Sequence, residues 1–353
     1  MTIKVLGLSL YGPLAASTRH RLMQFAPGLN QQGIELNVKP LLGDSYVQKI
    51  VSGEKYLLMN FIRDYFDRAA LLIRQHDYDV AIVNAELFPL LPGLIESRLL
   101  RIPFIYDFDD AFFLKYRMDR FKRISFLLRD KFKPIVSRAA AVLAGNNFLE
   151  SYAKQWNPAT FLLPTVVDTE RYMLAPSSRD GVFTVGWIGS PTTSIYLSQL
   201  AQPLECLGLE GRVRFLVVGG FSPCIPGVDV INIPWDEATE VALINSFDVG
   251  VMPLFDDEWA RGKCAFKLIQ YMACGVPVVA SPVGANVKVV TNTCGLLAGS
   301  AEEWINALRR LRDDPELRQS YGTAARQTIE QFYSLQSALP VMVKTIKAVI
   351  AER

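Results

Sequence analysis

Two lysines four residues apart, Lys263 and Lys267, stand ahead of a glycine stop at Gly275. The stretch from Asp256 to Ser281 (DDEWARGKCAFKLIQYMACGVPVVAS) predicts a mixed-charge loop, a helix from about Lys263 to Ala273, and a buried strand over 276–280. Residues four apart share one face of a helix. Two ammonium groups at a helix N-terminus, together with its free N–H groups, make a phosphate site. Arg261, two residues upstream, supplies a further cation. The apolar run 248–254 reads as the preceding strand, so the order is strand, loop, helix, strand. Its loop then lies at the carboxyl end of a parallel strand, where open α/β sheets bind ligands.

Carboxylates mark a second group. The strand expected over 103–106 delivers Asp107-Phe108-Asp109-Asp110. Three acids in four residues repel one another, so a cation, a metal or a raised pKa must compensate, unless they simply cap a helix starting near Ala111. Glu86 follows a strand over 79–83 and is either a cleft carboxylate or a charge at the start of the segment near Phe88. Arg19, His20 and Arg21 fall in the first turn of a helix expected from an N-cap at Ser17 to Gln32. Cations there oppose the helix dipole, which points to a nearby anion or acceptor, or to a solvated basic turn. Gly189, Ser190, Thr192 and Thr193 follow a strand over 183–188. Their small side chains let backbone amides approach an anion, with Thr192 or Thr193 capping the next helix. No GxGxxG opens a helix after either first strand, so a nicotinamide site lacks its main support.

The elements that must position these groups read as an α/β chain of two domains. The 353 residues are half hydrophobic and carry a net charge of +2, which creates no global field demanding nucleic acid. No run of eighteen apolar residues exists, so no transmembrane helix is expected, and the first strand, 3–10, does not resemble a signal peptide. Cysteines 206, 224, 264, 274 and 294 form no CxxC pair, and with two histidines a zinc site is not expected; reduced cytosolic thiols are the simplest reading. Residues 114–138 hold nine Lys or Arg against Asp119 and Asp130, interleaved with Phe121, Ile124, Phe126, Leu127 and Leu128. Such a segment either lies on anionic lipid or packs on the core with a solvated face; no recognition module accompanies it that would suit nucleic acid.

The run Met272-Ala273-Cys274-Gly275-Val276-Pro277-Val278-Val279-Ala280 resembles the C-terminal donor-site motif of the GT-B glycosyltransferases, in particular the retaining family 4 (GT4). Pro164-Thr165-Val166-Val167-Asp168 through Tyr172 resembles the interdomain junction of that family, and Asp107 to Ala111 resembles a branch with DFDDA sequences. The family's Glu-x7-Glu motif is degenerate: its first glutamate falls on Gly262 and its second on Gln270.

The resemblance implies a GT-B fold of two facing Rossmann-like domains: an acceptor domain over 1–170, a linker over 171–181, a donor domain over 182–334, and a tail helix over 335–353 packing back on the first domain. It implies retaining transfer of a hexose from a nucleotide diphosphate sugar to a glycan or lipid-linked hydroxyl, without a metal, in polysaccharide or glycolipid assembly. Lys263, Lys267 and Arg261 would neutralise the diphosphate, Gln270 would bind the ribose, and either Glu258 or Asp257 would replace the missing sugar-side carboxylate or this branch would dispense with it. Gly189, Ser190 and Thr192 would face the phosphates, and Trp235 would either stack on the base or serve as core. Asp107, Asp109 or Asp110 would lie near the acceptor hydroxyl, with Gly12, Arg19, Arg21 and Glu86 around it. The location implied is cytoplasmic, at most peripheral at the inner face of the membrane. The rival readings are a nucleotide-sugar 2-epimerase of GT-B fold and a non-catalytic sugar-nucleotide-binding subunit.

Overall fold

A computed structural model describes residues 2–175 and 181–352. Of the linker expected over 171–181, residues 176–180 lie outside the described residues. The chain forms two compact units. The first comprises Met1–Val166, Gly262–Cys264 and Ala338–Arg353; the second comprises Val167–Arg261 and Ala265–Ser337.

The first unit carries strands β1 (Ile3–Tyr11), β2 (Ile34–Leu42), β3 (Val80–Asn84), β4 (Phe104–Phe108), β5 (Ala141–Ala144) and β6 (Thr160–Leu162) in a parallel sheet of order β2-β1-β3-β4-β5-β6. β3, β4 and β5 are buried along their whole length, which is why their sequences are apolar runs rather than alternating ones. Helices α1 (Ala16–Arg21), α2 (Ala26–Gln31), α3 (Asp44–Ser52), α4 (Leu58–Ile73), α5 (Gly93–Leu99), α6 (Phe112–Lys115), α7 (Ser125–Leu128), α8 (Phe132–Arg138) and α9 (Asn147–Lys154) connect them.

The second unit carries β7 (Phe183–Ile188), β8 (Val213–Val218), β9 (Val228–Ile233), β10 (Val249–Met252), β11 (Val278–Ala280) and β12 (Gly295–Leu297), parallel in the order β12-β11-β10-β7-β8-β9. Its helices are α10 (Ala201–Glu210), α11 (Glu240–Asn245), α12 (Glu258–Arg261), α13 (Phe266–Ala273), α14 (Asn286–Val289), α15 (Ala301–Asp313) and α16 (Pro315–Phe332). The final helix, α17 (Leu335–Ala351), groups with the first unit from Ala338 on. There Gly28 of α2 makes room for Leu339, since a Cβ on Gly28 would lie 2.5 Å from that side chain. Each sheet reverses its strand order beside its first strand, which puts a ligand-binding switch point at the carboxyl ends of β1 and β3, and of β7 and β10.

Four sequence expectations are corrected. The helix expected from Ser17 to Gln32 is three pieces, with a 3₁₀ turn at Met23–Phe25 and Pro27 in the first turn of α2; Ser17 lies inside α1, whose cap position is Ala15. The helix expected from Lys263 starts at Phe266, because Ala265 takes a left-handed conformation with φ 55° that stops helical propagation upstream. Lys263 and Lys267 therefore do not share a helical face. The basic segment 114–138 is not one amphipathic helix but α6, a 3₁₀ turn at Asp119–Ile124, α7 and α8. The segment after Ser190 is a 3₁₀ helix, Pro191–Leu200, in which Thr192 and Thr193 are not caps.

Candidate functional site

In the first unit the acid cluster is compensated by cations and by a raised pKa. Asp107, at the end of β4, is fully buried and takes Arg21 in a two-pronged pair, one contact being Arg21 Nε to Oδ2 at 3.1 Å. Asn84 Nδ2, at the end of β3, donates to the same carboxylate at 2.8 Å, and Arg21 also donates to the Leu163 carbonyl at 2.6 Å. Asp107 and Arg21 are thus spent on each other in the interior, and neither is open to an acceptor. Asp110 lies 3.9 Å from Lys263. Asp109, partly buried between them, has its carboxyl pushed up to about 7 by burial and by Asp110, against the pull of Arg21. None of the three side chains caps α6, whose cap position is Ala111.

Gly262 and Lys263 are held against this cluster by Asn146, the cap of α9. Its Nδ2 donates to the carbonyls of Gly262 and Lys263, each at 2.9 Å, while its Oδ1 accepts from Leu149 N. Cys264 Sγ donates to the Asp109 carbonyl at 3.0 Å, and burial pushes that thiol up, so it stays a donor. A Cβ at Gly262 would lie 2.5 Å from Ala111 Cβ, and one at Gly145 would lie 2.4 Å from Cys264 Sγ. Position 262 therefore has no room for a glutamate.

The other expected acceptor residues serve packing. Glu86 is fully buried and holds Lys115, Lys131 and Tyr116; burial would raise its carboxyl, but Lys131 and Lys115 keep it below the usual range. Lys131 also bonds Glu96 at 2.8 Å. Residues 114–138 fold as short turns so that two of their cations reach this buried acid. Gly12 lets Asp44 close the turn after β1, where Asp44 Oδ1 accepts from Leu14 N at 2.9 Å and a Cβ on Gly12 would lie 2.4 Å from that oxygen. Arg19 folds back onto the carbonyls of Pro13 and Leu14, each at 2.9 Å.

In the second unit Gly189, Lys267 and Trp235 converge at the carboxyl ends of β7 and β8. Lys267, in the first turn of α13, has its Nζ 5.4 Å from the Trp187 ring centroid, and its stem lies where a Cβ on Gly189 would be, 2.7 Å from Cε. Gly219 brings its backbone against Gly189 O and Trp235 in the same way. Ser190 and Thr192 hydroxyls are 3.0 Å apart on the exposed loop after Gly189. Gln270, three residues after Lys267 on α13, is buried and donates from Nε2 to Tyr172 Oη at 2.9 Å. Tyr172 in turn donates to Glu240, whose other oxygen accepts from Trp235 Nε1 at 2.6 Å. Burial and Glu240 raise the Tyr172 phenol well above its usual value, so it remains the donor of that pair. Arg261 is exposed and pairs with Asp256 at 2.7 Å, and Glu258 is exposed at the start of α12.

Asn84, Asn146, Trp187, Tyr172 and Glu240 were not singled out from the sequence. Asn84 ends the apolar run of β3 and Asn146 follows that of β5 after one glycine, which is the signal that could have found them; nothing in the sequence points from Gln270 to Tyr172 or Glu240. Among the described residues no group of three or more His, Cys, Asp or Glu could hold a metal ion.

Residues 193–314, which include Trp235, Lys263, Lys267 and Gln270, match the family described as glycosyl transferases group 1. A curated relative, the D-inositol 3-phosphate glycosyltransferase of Corynebacterium aurimucosum, is 32% identical over 129 residues, covering 36% of this chain and 26% of that protein. The match thus spans about a quarter of that relative's length. The fold is similar to that of HepE from Anabaena, solved with UDP and glucose (TM-score 0.70, 15% identity, 98% of this chain and 100% of that one). It is also similar to a glycosyltransferase from Rickettsia africae (0.69, 14%, 100% of both) and to sucrose-phosphate synthase from Thermosynechococcus elongatus (0.66, 15%, 100% of both). The fold is GT-B.

Three outcomes follow from this geometry. Arg21→Met strands the buried Asp107 carboxylate and lowers stability by about 3–5 kcal/mol in urea unfolding, whereas an ordinary surface change of under about 0.5 kcal/mol would refute the pair's importance. Asp109, whose folded pKa is raised, contributes stability that is full below the ordinary carboxylate range and is lost as pH rises through about 7. Asp109→Asn removes that loss, so its thermal midpoint gains on the wild type between about pH 4 and 7; parallel curves would contradict the shift. Gly262→Glu costs about 1–3 kcal/mol through overpacking against Ala111, and an unchanged unfolding midpoint would show that the site can open.

Proposed function

We propose that the protein is a retaining glycosyltransferase of the GT4 kind, moving a hexose from a nucleotide diphosphate sugar to a hydroxyl acceptor on a glycan or lipid-linked saccharide. The observation that carries this reading is Lys267. It lies in the first turn of α13, against Gly189 and over Trp187, at a sheet switch point inside the segment matched to glycosyl transferases group 1. UDP-hexoses are the first donors to test, because HepE, of the same fold, was solved with UDP and glucose.

In this reading the second unit holds the donor. Lys267 and the free N–H groups of the α13 start neutralise the diphosphate as it leaves. Gln270, its amide fixed by Tyr172, turns its oxygen to a ribose hydroxyl, and Trp235, its N–H taken by Glu240, offers its ring to the base. Arg261 and Glu258 of α12, with Ser190 and Thr192 after β7, are exposed and would line the approach. The first unit holds the acceptor near Asp109 and Asp110. The bond from the anomeric carbon to phosphate breaks and a bond to the acceptor oxygen forms on the same face. The hydroxyl proton passes to Asp109, poised near neutrality, or to the leaving phosphate. Cation stabilisation of the leaving group supplies the chemistry that a divalent metal would otherwise provide.

One observation favours a second reading, a non-catalytic sugar-nucleotide-binding subunit: the packing at Gly262 leaves no room for the family's sugar-side glutamate.

Lys267→Ala is expected to lower kcat about 10²–10³-fold with an unchanged unfolding midpoint. Turnover at the wild-type rate in that variant would remove the diphosphate assignment. Nucleotide-sugar binding with no transfer or hydrolysis by the wild type would favour the binding subunit.

A further inference from the structure

Helix α4 packs Leu72 and several polar side chains against the protein and presents a second, wide apolar stripe to solvent. Over its 16 residues, Leu58, Met59, Ile62, Phe66, Ala69, Ala70 and Ile73 are all exposed, Phe66 by 70% and Ile73 by 80%. At 100° per residue they fall within an arc of about 120°, a stripe about 24 Å long. The inward side carries Asp64, Tyr65 and Arg68. Buried Arg68 donates to the carbonyls of Ser9 and Lys39, each at 2.9 Å. Asp64 accepts from Tyr56 Oη at 2.6 Å, and Tyr65 Oη donates to the Pro89 carbonyl at 2.8 Å. These bonds fix the rotation of the helix, so the apolar stripe cannot turn inward.

The stripe continues beyond α4. The connections β2-α4-β3 and β3-α5-β4 run in the same direction across the sheet, and right-handed crossovers put both helices on one face of it. Gln75 Nε2, just after α4, donates to the Leu99 carbonyl at the end of α5 at 3.1 Å. Leu90, Leu94 and Ile95 are exposed there, as are Phe126 and Leu127 of α7. Exposed cations accompany each group: Arg63 and Arg74 along the edge of the α4 stripe, Arg98 after Ile95, and Lys122, Arg123 and Arg129 around Phe126 and Leu127. Asp67 is the one exposed carboxylate on α4.

We infer that this face of the first unit, with α4 at its centre, docks on an anionic lipid surface. Apolar side chains at several tips, each with a basic collar, suit a bilayer boundary: the tips enter the acyl region and the cations meet headgroup phosphates. A second copy meeting this face across a two-fold axis would bring like cations together. The inference is independent of the donor chemistry. It moves the lipid-facing element from residues 114–138 as a whole to α4, since Lys115 and Lys131 of that segment are taken by Glu86.

The test is cosedimentation of the full chain with vesicles of mixed phosphatidylcholine and phosphatidylglycerol, and with phosphatidylcholine alone. Partitioning to the anionic vesicles is expected to fall about tenfold or more in an Ile62→Asp, Phe66→Asp double variant, and to show a weaker salt dependence in Arg63→Gln, Arg74→Gln. Circular dichroism and the unfolding midpoint of both variants should match the wild type, since the substituted side chains are solvent-facing. Absence of binding to either vesicle, equal binding to both, or unchanged binding by a folded double variant overturns the inference. So does sedimentation velocity showing a wild-type dimer that the double variant dissolves while neither binds lipid.

Discussion

The carboxylate of Asp107 is fully buried at the carboxyl end of β4, and the surrounding structure is arranged to pair it. Arg21 comes from α1 and Asn84 from the end of β3, and Arg21 reaches on to the Leu163 carbonyl beyond β6. One buried ion pair thus ties together the segments at the carboxyl ends of β3, β4 and β6. An unpaired charge there would cost several kcal/mol, so these segments cannot drift apart independently. With Asp107 fixed, Asp109 and Asp110 emerge in a defined place just beyond the strand. Asp109 makes no such ion pair among the described residues, and burial together with Asp110 pushes its carboxyl up to about 7. Asp107 is in this way given over to packing, and Asp109 and Asp110 are left for the proposed chemistry.

The proposed donor site of the second unit depends on close approach of backbone. Gly189 and Gly219 let the loops after β7 and β8 meet beside Trp187, Trp235 and Lys267, where a methyl group would collide. The same economy explains the two departures from the Glu-x7-Glu pattern. Gly262 is pressed on Ala111 and has no room for a side chain. At position 270 the neighbour is Tyr172, whose proton is committed to Glu240, so its oxygen accepts. A glutamate at 270 would place acceptor against acceptor, whereas the amide of Gln270 donates. The carboxylate of this network stands at 240 instead, where Trp235 and Tyr172 both satisfy it.

The strands were legible because buried parallel strands are unbroken apolar runs, and the acid cluster was legible because three carboxylates in four residues require compensation. Which cation supplied it was not: Arg21 lies 86 residues from Asp107, and its position in a basic turn pointed to a surface anion rather than to the interior. Lys263 and Lys267 have helical spacing, but a single left-handed residue, Ala265, separates them, and no side chain announces that conformation. The segment 114–138 reads as one amphipathic surface until its lysines are seen to reach Glu86. No spacing in the sequence gives the orientation of α4; the three carbonyls that Arg68 holds decide that.

The central claim is that the second unit binds a nucleotide diphosphate through Lys267 and the start of α13. A thermal-shift titration with UDP, GDP, ADP and dTDP and their hexose conjugates, without added metal, tests it most directly. Ligand at about 100 times its Kd stabilises the fold by about 2.7 kcal/mol. The account predicts a rise in unfolding midpoint with the nucleotides and sugars of one base. No rise with any of them would contradict it.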